Sequence, residues 1–290
     1  MQFSSIQEAL QSLFGAEVKY TDRVSGGDIN DSFELRLTTG EKVFMKSNRK
    51  FGAEFFAAEA AGIAAIARTG AIGTPGVLGC GADNGRAFLL LEYIESGRKV
   101  SGYWEIFGRQ LAQIHNADTS EFVTGYGFGG DNYIGYNRQI NTPRESWIDF
   151  FRDCRLEPQF RMAERFFDAG ERKRIGQLLD RLESFLVEPE HPSLLHGDLW
   201  SGNFMTGADG RAWLIDPAVY VGHAEADIAM TELFGGFAKE FYASYREAAP
   251  MQPGYEDRRD LYNLYQLLNH LNMFGGSYLS SVKRILRRYI

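Results

Sequence analysis

The stretch from Leu194 to Asp216 constrains the fold more than any other part of the chain. It reads LLHGDLWSGNFM and continues through a short strand, the turn GADG and the strand AWLIDPA. Asp198 and Asn203 lie five residues apart in a loop opened by His196, and Asp216 follows the β-hairpin. Each residue alone would be ordinary in a turn, but the joint spacing is specific. Three oxygen-bearing side chains are therefore expected on two adjacent loops.

Such a set of side chains suits phosphoryl transfer, which depends mostly on positioning and on charge neutralisation. One carboxylate orients the attacking hydroxyl, while another carboxylate and an amide oxygen hold magnesium against the phosphates. The Asp198 to Asn203 spacing repeats that of the kinase catalytic loop, and Asp216 comes where kinases place their main Mg²⁺ ligand. The sequence predicts a phosphotransferase site.

The N-terminal half supplies candidate phosphate-binding groups in the matching order. Glu17–Val24 and 32–37 read as two antiparallel strands, and the loop SGGDIND lies between them. Backbone N–H groups around Gly26 and Gly27 could cover phosphates, although this loop is not a G-x-G-x-x-G. Lys46 ends the next strand, where we expect it to reach the α- and β-phosphates.

A helix over about 53–67 brings two candidate partners for Lys46. Glu59 could pair with the lysine and orient it, as the lysine–glutamate pair of kinases does. Glu54 is the rival, and the two glutamates point to different faces of the helix. The Ala-rich surroundings of Glu59 favour close packing on the sheet, so Glu59 is the preferred partner.

The segment LLLEYIE marks a change in organisation. Short strands around one helix occupy residues 1–95, and helices dominate residues 96–290, so we expect a nucleotide-binding unit followed by a catalytic and acceptor-binding unit. Backbone groups of Glu92, Tyr93 and Ile94 in the link could hydrogen-bond an adenine edge. Taken alone, the same segment could be any core strand.

Charge and composition exclude several other classes of protein. With 31 Lys+Arg against 38 Asp+Glu the net charge is −7, which disfavours a nucleic-acid partner, and 44% hydrophobic with 24% charged residues is typical of a globular chain. No apolar run approaches the ~18 residues that span a bilayer, so no membrane partner is expected. Cys80 and Cys154 form neither a CxxC nor a zinc motif, which favours a reducing cytoplasm.

Three segments resemble the fructosamine kinase family, which includes fructosamine 3-kinase and ketosamine 3-kinase: HGDLWSGN, DPAVYVGHAEADIAMTELFGGF and NYIGYNRQINT. The resemblance covers nearly the whole chain. It implies an α+β, two-lobed protein-kinase-like fold, with a small, mainly antiparallel β N-lobe carrying one main helix and a larger helical C-lobe. It also implies phosphorylation by ATP of the 3-hydroxyl of a ketosamine, a deglycation or repair activity.

The resemblance also implies roles for single residues. Asp198 would accept the hydroxyl proton, Asn203 and Asp216 would bind Mg²⁺, Lys46 would clamp the phosphates, and 92–94 would hold adenine. A kinase of the aminoglycoside phosphotransferase or choline kinase type is the rival enzyme, since HGD-x-x-x-x-N occurs there too. A catalytically inactive nucleotide-binding scaffold is disfavoured because the four functional residues are all present.

Candidates for the acceptor site come from two places. Trp200, just after the predicted base, could stack on a sugar or cover the core. Asn132, Gln139 and Asn141 lie in a long polar loop, where amides could bind sugar hydroxyls or simply confer surface solubility. Asp227 is expected to cap a helix and to accept hydrogen bonds from the catalytic-loop backbone.

Overall fold

Two stretches that are far apart in sequence form the first of two compact units. The computed structural model describes residues 1–24 and 29–290. The first unit comprises Met1–Tyr103 and Phe204–Pro217, and the second comprises Trp104–Asn203 and Ala218–Ile290. The boundary after residue 95 stays a prediction, but the observed division shows that the hairpin preceding Asp216 belongs with the N-terminal residues.

A six-stranded sheet organises the first unit, and its strands are β1 Gln2–Phe3, β2 Val18–Val24, β3 Asp31–Leu37, β4 Lys42–Asn48, β5 Val77–Asp83 and β6 Arg86–Glu92. The order is β1-β5-β6-β4-β3-β2, and every neighbouring pair is antiparallel except β1 and β5. Because side chains alternate along a strand, Val43 and Met45 of β4 join one buried core while Lys46 points to the opposite face. That alternation places the ammonium group of Lys46 on the face opposite the core formed with Val43 and Met45.

Each face of this sheet is packed against a helix. Helix α1 (Ile6–Phe14) buries Ala9 and Leu10 in the core shared with Val43 and Met45. Helix α2 (Ala53–Arg68) contacts β5 and β6 and carries the Ala-rich sequence that allows close approach. A hairpin of Phe204–Thr206 and Ala212–Leu214 completes the unit.

The second unit is mainly helical, with helices α3 Tyr103–His115, α4 Trp147–Phe151, α5 Glu157–Met162, α6 Ala169–Leu179, α7 Glu225–Leu233, α8 Lys239–Ala248, α9 Tyr255–Phe274 and α10 Leu279–Tyr289. Two short antiparallel pairs accompany them: Asn132–Ile134 with Asn137–Gln139, and Ser193–Leu195 with Tyr220–Gly222. Aromatic side chains such as Trp147, Phe151 and Phe241 fill the core. None of the helices in the described ranges is long and apolar enough to cross a membrane.

Candidate active site

Lys46 lies at the centre of a charged cluster in the first unit, which consists of Lys46, Glu59 and Asp216. The lysine is only 4% exposed. Its Nζ lies 2.5 Å from Glu59 Oε1 on α2 and 2.5 Å from Asp216 Oδ1, which follows the hairpin. The predicted pairing of Lys46 with Glu59 is present as a contact, and Asp216 joins it.

Electrostatics keep the lysine of this charged cluster protonated. Burial by itself would lower the pKa of Lys46, but the charges of Asp216 and Glu59 outweigh it, so the pKa is raised above its usual value. Burial and the charge of Asp216 raise the pKa of Glu59, against the opposing effect of Lys46. Within the cluster, Lys46 therefore offers a fixed positive charge of the kind that phosphate oxygens require.

Asp216 has an unusual backbone conformation for a residue with a side chain. Its φ is +56°, in the left-handed region that aspartate tolerates better than most residues. Strained backbone of this kind is concentrated at functional sites, where the surrounding structure must hold it. The carboxylate of Asp216 is a hard oxygen ligand of the type that Mg²⁺ prefers.

The loop opened by His196 holds the predicted base in the second unit. Asn203 Nδ2 donates to the Asp198 carbonyl (2.8 Å) and to Asp198 Oδ2 (2.9 Å). These two bonds use the amide nitrogen, so the amide oxygen, the atom that binds hard cations, is not consumed by them. Gly197 has a φ of +81°, and a Cβ there would lie 2.0 Å from the Ala218 carbonyl oxygen, so only glycine fits in the HGD turn.

Asp227 holds the backbone of this loop through hydrogen bonds. Its carboxylate accepts hydrogen bonds from the backbone N–H groups of His196 (2.7 Å) and Gly197 (2.9 Å), as the sequence predicted. The predicted helix-capping role is wrong, because α7 begins at Glu225 and Asp227 lies inside its first turn. Burial would raise the pKa of Asp227, but hydrogen bonds from His115 and the loop lower it, so this carboxylate stays ionised.

His115 and Gln266 are loop supports that the sequence analysis missed. His115 Nε2 lies 3.3 Å from Asp227 Oδ2, and its Nδ1 lies 2.7 Å from the Tyr245 hydroxyl. Gln266 on α9 donates from Nε2 to the Gly197 carbonyl at 3.0 Å. In the sequence, each of the two is a polar residue on an otherwise apolar helix face. That pattern does not reveal which group such a residue contacts.

The two backbone predictions for nucleotide binding in the N-terminal half both stay predictions. Gly26 and Gly27 lie outside the described residues. The Glu92 N–H already donates to the Gly76 carbonyl at 2.8 Å, so adenine contacts would fall to the Glu92 carbonyl and to the backbone of Tyr93 and Ile94. That assignment stays a prediction.

The rival glutamate and the tryptophan both lie at the surface. Glu54 is exposed at the start of α2, and the structure places Glu59, not Glu54, beside Lys46. Trp200 is 37% exposed, and its ring meets Phe234 edge-on, with 6.5 Å between ring centroids. An exposed ring does not serve to cover the core, so its placement favours the stacking alternative.

The three amides predicted to bind an acceptor are buried in the second unit. Asn132, Gln139 and Asn141 are 5%, 2% and 1% exposed. Their hydrogen bonds end on the backbone and on other side chains of the protein. Burial rules out the surface-solubility alternative and gives no support to direct contact with a sugar.

Comparisons with known proteins find relatives over nearly the whole chain. The sequence model of the fructosamine kinase family matches residues 2–290. A protein named as a probable ketoamine kinase in Synechocystis sp. is 38% identical over 289 residues, covering 99% of this chain and 96% of that protein. The chloroplastic protein-ribulosamine 3-kinase of Oryza sativa subsp. indica is 40% identical over 270 residues, covering 92% of this chain and 78% of that protein.

Solved structures show the same fold. The crystal structure of a candidate fructosamine-3-kinase from Haemophilus somnus aligns with a TM-score of 0.89 at 30% identity, covering 99% of this chain and 97% of that one. An aminoglycoside phosphotransferase in a ternary complex with AMP-PNP and hygromycin B aligns with a TM-score of 0.64 at 18% identity, covering 98% and 96%. This α+β chain has a protein-kinase-like fold and belongs to the fructosamine kinase family.

Proposed function

We propose that this chain is an ATP-dependent kinase that phosphorylates the 3-hydroxyl of ketosamines, the adducts formed when sugars react with amines or with protein lysines. The charged cluster carries the proposal for phosphoryl transfer, because it surrounds one buried lysine with two carboxylates at 2.5 Å. The acceptor class follows from the relatives, which are named for ketoamines and protein-bound ribulosamine. Removal of such adducts would make the chain a deglycation or repair enzyme.

In this reaction the oxygen of the acceptor hydroxyl attacks the γ-phosphorus of ATP, and Asp198 accepts the proton of that hydroxyl. The bond from that phosphorus to the bridging oxygen breaks, and ADP leaves. Asn203 holds the Asp198 carboxylate through its amide nitrogen and so orients the base. Asp227 fixes the backbone on which the base is carried.

Lys46 binds phosphate oxygens of ATP in this scheme, and Glu59 orients it. The raised pKa of Lys46 keeps the ammonium charged throughout the physiological range. Asn203 and Asp216 fit Mg²⁺ by donor chemistry, since both offer hard oxygen atoms, and Mg²⁺ would neutralise phosphate charge there. Gly26, Gly27 and the backbone of 92–94 complete the proposed nucleotide contacts, and a cytoplasmic location stays a prediction from the sequence.

The rival assignments are not favoured. The aminoglycoside phosphotransferase shares the fold at 18% identity, whereas the ketoamine and ribulosamine kinases share 38% and 40% of their aligned residues with this chain. A non-catalytic scaffold would not need both a buried Lys46 paired with Glu59 and a loop that Asp227 holds in place to carry Asp198. We therefore rank ketosamine phosphorylation above both.

A substrate panel tests the proposal. ATP consumption with Mg²⁺ would be measured against ribulose-lysine, fructose-lysine, kanamycin, choline and homoserine. Turnover of the two ketosamines alone is the expected result. Turnover confined to kanamycin, choline or homoserine would overturn the acceptor assignment, and nucleotide binding without turnover of any acceptor would revive the scaffold alternative.

A further inference from the structure

The buried amides of the second unit end on the backbone that directly follows Asp216 in the chain. Asn132 Nδ2 donates to the Val219 carbonyl at 2.7 Å. Gln139 Nε2 donates to the Ala218 carbonyl at 3.0 Å and to Asn132 Oδ1 at 2.7 Å. The amide side chains of the long polar loop therefore bind two consecutive peptide carbonyls, those of Ala218 and Val219, and do not face solvent.

The same Ala218 peptide is tied to the catalytic loop. Its N–H donates to the His196 carbonyl at 2.8 Å. Its carbonyl oxygen lies where a Cβ on Gly197 would come within 2.0 Å. A shift of the Ala218 peptide would therefore move the HGD turn, because Gly197 packs directly against the Ala218 carbonyl.

A second layer of side chains sets the orientation of the amides. Tyr265 on α9 donates its hydroxyl to Gln139 Oε1 at 2.6 Å. Asn141 Nδ2 donates to Asn132 Oδ1 at 3.0 Å. Because both amide oxygens accept from these neighbours, both amide nitrogens must face the backbone carbonyls. The five side chains Asn132, Gln139, Asn141, Tyr265 and Arg155 are called the amide network below.

Arg155, a fully buried cation, binds the Asn141 end of this network. Its Nη2 donates to Asn141 Oδ1 at 2.8 Å, and its guanidinium lies 3.9 Å from the Tyr220 ring centroid and 4.6 Å from that of Phe150. Within the described ranges it forms no ion pair with a carboxylate. Peptide and amide oxygens and aromatic faces hold its charge, so its position depends on geometry that only the folded loop supplies.

We propose that the amide network is a positioning device for phosphoryl transfer, which holds the Ala218 peptide and through it the loop that carries Asp198. The inference rests on the proposed function. It gives the long loop a role in the reaction without contact to the acceptor. None of its members is a catalytic residue, because they act through Ala218.

Tyr265→Phe tests the proposal, since it removes only the hydroxyl that orients Gln139. We expect kcat to fall about tenfold while the KM for ATP changes less than about twofold, because a misplaced base slows the chemical step without altering nucleotide binding. Gln139→Met removes the bond to Ala218 itself and should lower kcat further. Amide hydrogen exchange of Ala218, measured without substrate, should be faster in both variants.

Tyr136→Phe is the matched control. The Tyr136 hydroxyl comes from the same loop and donates at 2.6 Å, but to the Met273 carbonyl. This variant should lose stability as Tyr265→Phe does and keep the wild-type kcat. Wild-type kcat in both Tyr265→Phe and Gln139→Met, or an equal loss in Tyr136→Phe, would overturn the proposal.

The two proposals can fail separately. Absence of ketosamine turnover in the wild-type chain would remove the proposed function. Unchanged hydrogen exchange at Ala218 in Tyr265→Phe would remove the positioning role, whatever the substrate is.

Discussion

The charged cluster of the first unit is built around one buried cation, Lys46, and the amide network of the second around three buried amides. The two groups differ in the kind of partner that each side chain needs. In the charged cluster, two carboxylates compensate the buried ammonium of Lys46. The buried cation of the amide network, Arg155, is held instead by peptide and amide oxygens and by aromatic faces. The neutral amides of that network need only donors and acceptors, and they find them both in peptide carbonyls and in other side chains. The partners of Lys46 can therefore be expected from its charge, whereas those of the amides and of Arg155 depend on which groups the fold brings close.

The largest effect is expected at the loop that the amide network supports. Asp198→Asn should lower kcat by about 10²- to 10⁴-fold, the usual contribution of general-base assistance. ATP binding should be largely kept, because the charged cluster is intact. Steady-state kinetics with a ketosamine acceptor and ATP titration measure the two effects, and near-normal turnover would mean that Asp198 is not the base.

Removing the cation should damage the first unit most. Lys46→Met leaves the Glu59 carboxylate, whose side chain is only 12% exposed, without its partner, so we expect the free energy of unfolding to drop by about 3–5 kcal/mol. Denaturant titration measures the loss. The double variant Lys46→Met/Glu59→Gln should recover part of the stability, since it also removes the buried charge, but not the activity.

An equal loss of stability in the single and double variants would contradict this account of the charged cluster. It would mean that the ammonium stabilises the unit by packing of its alkyl chain and not by compensating charge.

The glutamate assignment predicts a smaller effect with a built-in control. Glu59→Gln weakens the contact that orients Lys46, and we expect kcat/KM for ATP to fall about tenfold, the value of roughly 1.4 kcal/mol of lost interaction. Glu54→Gln lies on the same helix, is exposed, and should behave as the wild type. A loss in Glu54→Gln with none in Glu59→Gln would reverse the assignment.

The smallest effect is expected at Trp200, which belongs to neither group. Trp200→Phe keeps a smaller aromatic face, so the acceptor KM should rise about twofold to tenfold, in line with a stacking contribution of about 0.5–1.5 kcal/mol. The KM for ATP should not change. If the acceptor KM is also unchanged, Trp200 does not stack on the acceptor.

The sequence was informative where residue chemistry limits the partners. The strand of Lys46, the helix of Glu59 and the hairpin before Asp216 could be predicted from hydrophobic pattern and motif spacing, and the three side chains meet. Asp227 was placed beneath the correct loop but at the wrong helix position, because a helix start depends on backbone dihedrals that composition does not reveal.

The polar loop shows where such reasoning ends. Asn132, Gln139 and Asn141 have side chains that suit sugar binding and protein hydrogen bonds equally well. Only the fold reveals that Val219 and Ala218 lie opposite them and that Tyr265 and Arg155 close the network. This is a consequence of long-range packing, which local pattern cannot encode.

The most direct test of the central claim is to locate the new phosphate by NMR after the wild-type chain reacts with ATP, Mg²⁺ and ribulose-lysine. The account predicts one product with phosphorus coupled to the proton on C3 of the sugar, and almost no product with Asp198→Asn in the same time. Phosphate on another hydroxyl, or the same yield from both proteins, would contradict it.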